Sequence, residues 1–205
     1  YGSIRHDVRE ARKLLDAHGY TATEIHLNEW HYFPGEWSRL RSDSDYKDRI
    51  YERMRGLESA AFLCTVQSLW QDVPLDMGCY YTATTTAWGL YKRAGDTPTK
   101  SYYGMKAFGE IVRYSQRIAA GSSSPDLTVL AGRAPDGRMA LLVSAFKSGA
   151  SLVAVKVDFP VEKAKTRLLV LDEALNLEPA GFECAGDELV FNLTSDSAVA
   201  LLLFD

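Results

Sequence analysis

The sequence predicts a mixed fold, with an α/β region over residues 1–120 and an all-β region over residues 121–205. In the first region, helical and strand patterns alternate in the order helix, strand, helix, strand, helix, which favours parallel β/α units. In the second region, short apolar runs separated by turn residues favour a small antiparallel β-sandwich. The segment AAGSSSPD, residues 119–126, is a shift toward small and polar residues and marks the boundary between the two domains.

The first helix and the first strand lie at the start of the chain. The helix has apolar residues at helical spacing and ends near Gly19, a residue type that commonly follows a helix C-terminus. Its apolar stripe consists of Ile4, Val8, Ala11, Leu14 and Leu15. A strand is predicted over residues 22–28, and a polar loop that begins with several aromatic residues follows over residues 31–44.

Two further helices and one strand complete the α/β region. A helix over residues 45–70 contains ESAAFLCTVQSLW, which is apolar on most sides and predicts deep burial against a sheet. A strand over residues 75–82 and a helix over residues 101–119 follow. Two strands cannot close a β/α barrel and would leave sheet edges exposed. We therefore expect upstream chain or a second copy to complete the fold, with Tyr1 an internal position of a longer protein or a processed start.

The all-β region contains two predicted hairpin turns and one predicted central strand. The turns are PDGR, residues 135–138, and AGDE, residues 185–188, because their residue types suit tight turns. The last run, AVALLLF, is apolar at every position, so we expect it in the middle of its sheet and not at an edge.

Composition excludes several classes of function. The net charge is -4, which gives no basic surface for nucleic acid, and no apolar run approaches the roughly 20 residues that span a membrane. We expect a soluble protein, and a secreted or periplasmic location stays open. No Cys/His spacing indicates a metal site, no cofactor is expected, and Cys64, Cys79 and Cys184 are predicted to be buried free thiols.

The segment TEIHLNEWHYFPGEW, residues 23–37, contains the candidate site. Glu29 lies where the predicted strand meets the loop, which is the position of catalytic groups in parallel β/α enzymes. Alternation places Ile25, Leu27 and Glu29 on one face of the strand, with Asn28 on the other. From these residues alone, Glu29 is either catalytic or an ordinary surface glutamate.

A resemblance favours the catalytic interpretation. The segment above, the helix with SAAFLCTVQSLWQD, then LDMGCYYTATTTAWGLYKRAGDTPTKSYYGMKAFGEI and a β-rich tail together resemble the C-terminal part of a clan A glycoside hydrolase. The closest likeness is to family 39, the β-xylosidases and α-L-iduronidases. The resemblance covers nearly the whole chain and implies the last two strands of a (β/α)8 TIM barrel with their helices, followed by an accessory β-sandwich.

The resemblance also implies a mechanism and a set of site residues. It makes Glu29 the nucleophile of a retaining enzyme that hydrolyses O-glycosyl bonds of a carbohydrate substrate. The implied sugar-binding residues are Asn28, Trp30, His31, Tyr32, Trp37, Tyr81 and Trp88. An Asn-Glu pair can instead mark the fourth strand, where the Glu is the acid/base. That placement would need four more β/α units of roughly 30 residues each after Glu29, and they are absent from the sequence.

Two questions stay open at the level of sequence. The acid/base has no defensible position in this chain, because Glu24 lies at the wrong end of the strand and Glu36 matches no family motif. The chain by itself is therefore expected to be inactive, and a non-catalytic carbohydrate-binding or structural module is the alternative function. Donors that would keep Glu29 ionised are expected from tyrosines and histidines nearby, with the candidates being His26, His31, Tyr80 and Tyr81.

Overall fold

Two short parallel strands and four helices form the first part of the chain. The computed structural model describes residues 2–93 and 97–205. The elements of this part are α1 (Gly2–Ala17), β1 (His26–Trp30), α2 (Ser44–Arg55), α3 (Leu57–Trp70), β2 (Met77–Tyr80) and α4 (Lys100–Ile111). β1 and β2 pair in parallel, with His26 opposite Met77 and Trp30 opposite Tyr80. The predicted alternation of helical and strand regions and the predicted parallel pairing are confirmed, and Gly19 follows α1 with a positive φ of 84°.

The predicted helix over residues 45–70 is two helices. The chain turns at Gly56, whose backbone is extended, with φ -85° and ψ -168°. A Cβ at this position would lie 2.6 Å from the carbonyl oxygen of Glu52, so only glycine fits without a shift. α2 begins at Asp43, whose side chain accepts a hydrogen bond from the backbone N–H of Tyr46 at 2.9 Å and so caps the helix.

α3 is buried on opposite sides, as its sequence predicts. One side carries Leu63, Val66 and Trp70, which pack with Trp30 of β1. The other side carries Ala60, Ala61 and Cys64, which pack with α4 and with the β-sheet of the second part. A helix placed between two layers has no solvent face, which explains why its apolar residues show no narrow stripe.

The second part of the chain consists of two antiparallel sheets. Its strands are β3 (Gln116–Ile118), β4 (Leu127–Arg133), β5 (Met139–Ala145), β6 (Leu152–Lys156), β7 (Thr166–Leu171), β8 (Asn176–Pro179), β9 (Glu183–Ala185), β10 (Glu188–Asn192) and β11 (Ala198–Phe204). One sheet has six strands in the order β3-β4-β5-β11-β7-β8, and the other has three in the order β6-β10-β9. The predicted turns are confirmed, since Gly137 and Gly186 take positive φ values of 93° and 67° between paired strands.

β11 is an interior strand of the six-stranded sheet, as predicted from its sequence. It pairs with β5 on one side and β7 on the other, and each of its seven residues is buried. Successive residues point to opposite faces of the sheet. Leu201 therefore packs toward α3 and α4, whereas Leu202 packs toward the three-stranded sheet. The six-stranded sheet thus carries an apolar core on each face.

The face of β1 and β2 that points away from the helices is open. Gly78 faces α3, because a Cβ there would lie 2.9 Å from the Trp70 ring. Its neighbours Met77 and Cys79 point the opposite way and are exposed, with Met77 at 48%. The prediction of a buried thiol is therefore wrong for Cys79 and correct for Cys64. In the part of the chain that the structure describes, no helix is long and apolar enough to span a bilayer.

Candidate functional site

Glu29 lies at the C-terminal edge of the parallel strand pair. It is the residue before Trp30, the last of β1, and its side chain is exposed. The backbone N–H of Tyr81 donates to the carbonyl oxygen of Trp30 at 2.9 Å, so the chain leaving β2 runs beside the end of β1. Asn28 precedes Glu29 and is also exposed. The carboxyl ends of both strands therefore meet at one edge, which is the edge where parallel β/α enzymes carry their chemistry.

Aromatic side chains from the two segments beyond these strands form a cluster centred on Trp88. The His31 ring stacks on Trp88, with 5.0 Å between centroids and 13° between planes. Trp37 approaches the same indole edge-on at 6.3 Å, and Tyr81 lies at 6.1 Å. Phe33 in turn stacks on Trp37 at 4.1 Å. Trp37 and Tyr81 are 56% and 43% exposed, so the cluster presents aromatic surface to solvent.

Trp30 and Tyr32 point the other way, into the core. Trp30 is 9% exposed and meets Trp70 edge-on at 4.6 Å, on the side of α3. Tyr32 is 6% exposed and packs against Phe62 and Phe146. Residues 30–33 thus alternate between the core and the cluster, with the Trp30 and Tyr32 side chains in the core.

The segment that carries Trp88 is held by short-range hydrogen bonds. The hydroxyl oxygen of Thr85 accepts from the backbone N–H groups of Ala87 and Trp88, at 2.9 and 3.1 Å. The Tyr80 hydroxyl donates to the Trp88 carbonyl oxygen at 2.7 Å. These bonds fix the backbone of Trp88 over the end of β2. The Thr85 contact was not predicted, although threonine is a residue type that makes such turns.

Two of the expected donors to Glu29 are engaged elsewhere. Tyr80 donates to Trp88 as described, and the His26 ring lies 2.7 Å from the Glu24 carboxylate. Among the side chains that the structure describes, none hydrogen-bonds to the Glu29 carboxylate. His31 is electrostatically coupled to Glu29: burial lowers the pKa of His31, while the negative charge of Glu29 acts in the opposite direction. His31 is therefore a neutral imidazole at neutral pH.

A second polar group lies behind the aromatic residues, and sequence reasoning missed it. The Glu58 carboxylate accepts hydrogen bonds from Arg53 and Tyr32 and pairs with Lys147. Burial acts to raise the pKa of Glu58, but hydrogen bonds from Arg53, Lys147 and Tyr32 outweigh it and lower the pKa to about 2. Glu58 is thus ionised throughout the neutral range. No group of three or more His, Cys, Asp and Glu within the described ranges is arranged to hold a metal ion.

Comparison with known proteins identifies the fold. No protein-family model and no curated protein sequence matches the chain. Among solved structures, the chain is similar to a glycoside hydrolase family 39 β-xylosidase from Caulobacter crescentus, with 13% identity and a TM-score of 0.63 over 98% of this chain and 49% of that one. It is also similar to a family 30 subfamily 8 xylanase from Clostridium acetobutylicum, with 12% identity and a TM-score of 0.62 over 90% and 43%. A glucosidase from Croceicoccus marinus gives 15% identity and a TM-score of 0.64 over 98% and 50%.

These similarities confirm the predicted resemblance to clan A glycoside hydrolases, with family 30 structures matching as well as family 39 structures. At such low identity the likeness establishes the fold alone. The chain spans about half the length of the structures it matches.

Proposed function

We propose that this chain is the C-terminal portion of a retaining glycoside hydrolase, with Glu29 as the nucleophile. The observation that carries the proposal is the position of Glu29, an exposed carboxylate at the C-terminal edge of a parallel strand pair, next to an aromatic surface centred on Trp88. Sugar rings stack on aromatic faces through their C–H groups, and a carboxylate beside such a surface can reach the anomeric carbon. The glycosidase fold of the neighbours supports the same interpretation.

The two parts of the chain take separate roles in this proposal. Residues 1–120 supply the last two strands of a (β/α)8 barrel, and residues 121–205 form an accessory β-sandwich. The open face with Met77 and Cys79 supports this assignment, because apolar strand residues exposed to solvent are what the interior of a divided barrel would leave. The remaining barrel strands, and the acid/base with them, come from the upstream part of the same protein or from a second copy.

The chemistry assigned to Glu29 follows the double-displacement route. In retaining enzymes the two carboxyl groups lie about 5–5.5 Å apart across the glycosidic bond. Glu29 attacks the anomeric carbon as the leaving oxygen takes a proton from the acid, and water then releases the sugar. A neutral His31 beside Glu29 can donate one hydrogen bond to the carboxylate without neutralising it. Asn28, Trp37, Tyr81 and Trp88 line the proposed sugar site together with His31.

Substitution of Glu29 tests the assignment. In the full-length protein, Glu29→Gln should lower turnover of an activated aryl glycoside by at least about a thousandfold, because the glycosyl-enzyme can no longer form. Glu36→Gln is the matched control, since Glu36 is an exposed glutamate of the same loop. Equal turnover in the two variants would refute the role of Glu29.

Azide distinguishes a nucleophile from an acid/base. In Glu29→Gly, azide can occupy the space of the missing carboxylate, attack the anomeric carbon directly and expel the aryloxide. The expected product is a glycosyl azide of inverted configuration. A glycosyl azide of retained configuration would show that Glu29 is the acid/base, the role of an Asn-Glu pair on a fourth strand.

A non-catalytic carbohydrate-binding module is the second candidate. The observation that favours it is the exposure of Trp37 and Tyr81, which offers a sugar-binding surface without a second carboxylate. Two measurements separate the two candidates: calorimetric titration of xylo-oligosaccharides into Glu29→Gln, and an assay of wild type on aryl glycosides. Sugar binding without any hydrolysis by wild type would favour the module.

A further inference from the structure

The Glu58 carboxylate joins three separate segments of the chain. Its Oε1 accepts from the Tyr32 hydroxyl at 2.5 Å and from Arg53 Nη2 at 2.7 Å, and lies 2.7 Å from Lys147 Nζ. Its Oε2 accepts from Arg53 Nε at 2.6 Å. The arginine therefore binds the carboxylate as a fork, with two parallel hydrogen bonds, which is the strongest and most directional arrangement for such a pair. We call these four residues the Glu58 cluster.

The Glu58 cluster contacts the aromatic loop, defined here as residues 31–37, through Tyr32. Tyr32 is a member of this loop, and its hydroxyl is tied to Glu58 while its ring packs on Phe62 and Phe146. His31 and Phe33 flank Tyr32 and point to the opposite side, where they stack on Trp88 and Trp37. An anchor that holds Tyr32 inward therefore holds its two neighbours outward.

Lys147 brings the second part of the chain into this arrangement. It follows β5, and the hydroxyl oxygen of Ser197, just before β11, accepts a hydrogen bond from its backbone N–H at 3.2 Å. Its ammonium group also lies 5.9 Å from the centre of the Tyr32 ring. A residue just beyond a strand of the six-stranded sheet thus contacts both Glu58 and the loop residue Tyr32 that Glu58 binds.

The negative charge of Glu58 depends on the hydrogen-bond donors and positive charges of the other three residues of the cluster. The Glu58 side chain is 17% exposed, so the ionised carboxylate needs its donors in place of water. Tyr32 donates a hydrogen bond to this charge, and hydrogen bonds to charged groups contribute more than neutral ones. Loss of the Tyr32 hydroxyl would leave the ring packed but free to turn.

We propose that Glu58 is a positioning residue that holds the aromatic loop through Tyr32, with Lys147 linking the antiparallel sheet to the same loop. The role in sugar binding rests on the function proposed above, whereas the effect on the conformation of the loop does not. The antiparallel region thereby contributes to the site itself, in addition to covering the helices.

The first test is Tyr32→Phe in the full-length protein, which removes one hydroxyl and keeps the buried ring. Amide hydrogen exchange over residues 31–37 should accelerate about tenfold, while exchange in β11 stays unchanged. Lys147→Met should produce a smaller acceleration in the same segment. Lys156→Met is the matched control, because Lys156 pairs only loosely with Asp187, at 3.7 Å, on the far sheet.

Kinetics of the same variants connects the loop to sugar binding. Tyr32→Phe should raise KM for an aryl xyloside by roughly three- to tenfold with little change in kcat, since a stacking surface binds substrate and transition state alike. Unchanged exchange and unchanged KM in both Tyr32→Phe and Lys147→Met would overturn the proposal. Faster exchange with no glycosidase activity even in wild type would refute the proposed function and keep the positioning role.

Discussion

Two glycines of the same helix should respond to alanine in opposite directions. Gly104 lies on the face of α4 that packs against α3, where an added Cβ would meet the Ala60 carbonyl oxygen at 2.8 Å and the Ala60 Cβ at 3.1 Å. Gly109, five positions further along α4, has no atom within 4 Å of an added Cβ. The pair therefore separates the effect of close helix packing from the intrinsic effect of alanine on a helix.

The magnitudes follow from these two environments. At Gly109 the substitution removes the entropy cost of glycine and adds no contact, so stability should rise by about 0.5–1 kcal/mol. At Gly104 the same gain is opposed by overpacking against a rigid backbone carbonyl, which costs typically about 1–3 kcal/mol. The helices can relieve the clash only by separating, and Cys64, which lies 3.2 Å from the Gly104 carbonyl oxygen, would lose its contact. Gly104→Ala should therefore lower the free energy of unfolding by about 1–2 kcal/mol.

Urea denaturation followed by circular dichroism measures both free energies. Equal m-values in the two variants would show that the denatured state is unchanged, so that the midpoints report the folded state. The close packing of α3 against α4 at Gly104 is refuted if Gly104→Ala is as stable as Gly109→Ala. That result would mean that α3 and α4 approach less closely than the contact with Ala60 requires.

Three further substitutions have effects of known direction. Asp43→Ala removes the cap of α2 and should cost about 1 kcal/mol in urea denaturation, with a loss below 0.3 kcal/mol arguing against the cap. Leu201→Ala leaves a cavity where β11 packs against α3 and α4 and should cost about 2–5 kcal/mol, whereas a loss under 1 kcal/mol would contradict its burial. Folding lowers the pKa of Glu58 to about 2, so its stabilisation is complete above the unfolded pKa of about 4.3 and disappears as the pH falls toward 2. Acid titration of Glu58→Gln should therefore show a shallower loss of stability below pH 5 than wild type, and parallel curves would disprove the shift.

The sequence was sufficient for the identity of most elements, because period and composition are local properties. The alternating and continuous apolar runs identified the strands of both sheets except two. β3 (Gln116–Ile118) falls within the predicted helix over residues 101–119, and β8 (Asn176–Pro179) contains a single buried apolar residue, Leu177. The apolar run of β11 predicted its central position, since only a strand covered on both faces can be apolar at every residue. Boundaries depended on contacts that are distant in sequence. α4 ends at Ile111 because residues 116–118 pair with β4, and no local signal announces that pairing.

The arrangement of the site was only partly accessible from the sequence. Strand-end position could be inferred for Glu29 because it needs only the strand to be recognised. The division of the aromatic loop between core and surface could not be inferred, since it depends on Glu58, which lies on α3, 26 positions after Tyr32. No sequence pattern separates buried from exposed side chains among the four consecutive aromatic residues from Trp30 to Phe33. Their burial is set by contacts with residues that are distant in the sequence.

The polar contacts between the two parts of the chain indicate what the antiparallel region contributes besides covering the helices. A cover for apolar helix faces needs only hydrophobic side chains, and the shared core of α3, α4 and β11 supplies those. The structure adds buried polar links, in which Thr65 donates to the Ser144 hydroxyl at 3.0 Å and Ser144 donates to the Ala61 carbonyl oxygen at 2.8 Å. Such bonds add little net stability but cost much when misaligned, so they fix one orientation of sheet and helix. Lys147, two residues after β5, shares that fixed orientation, and this allows the sheet to hold the aromatic loop in place through Glu58.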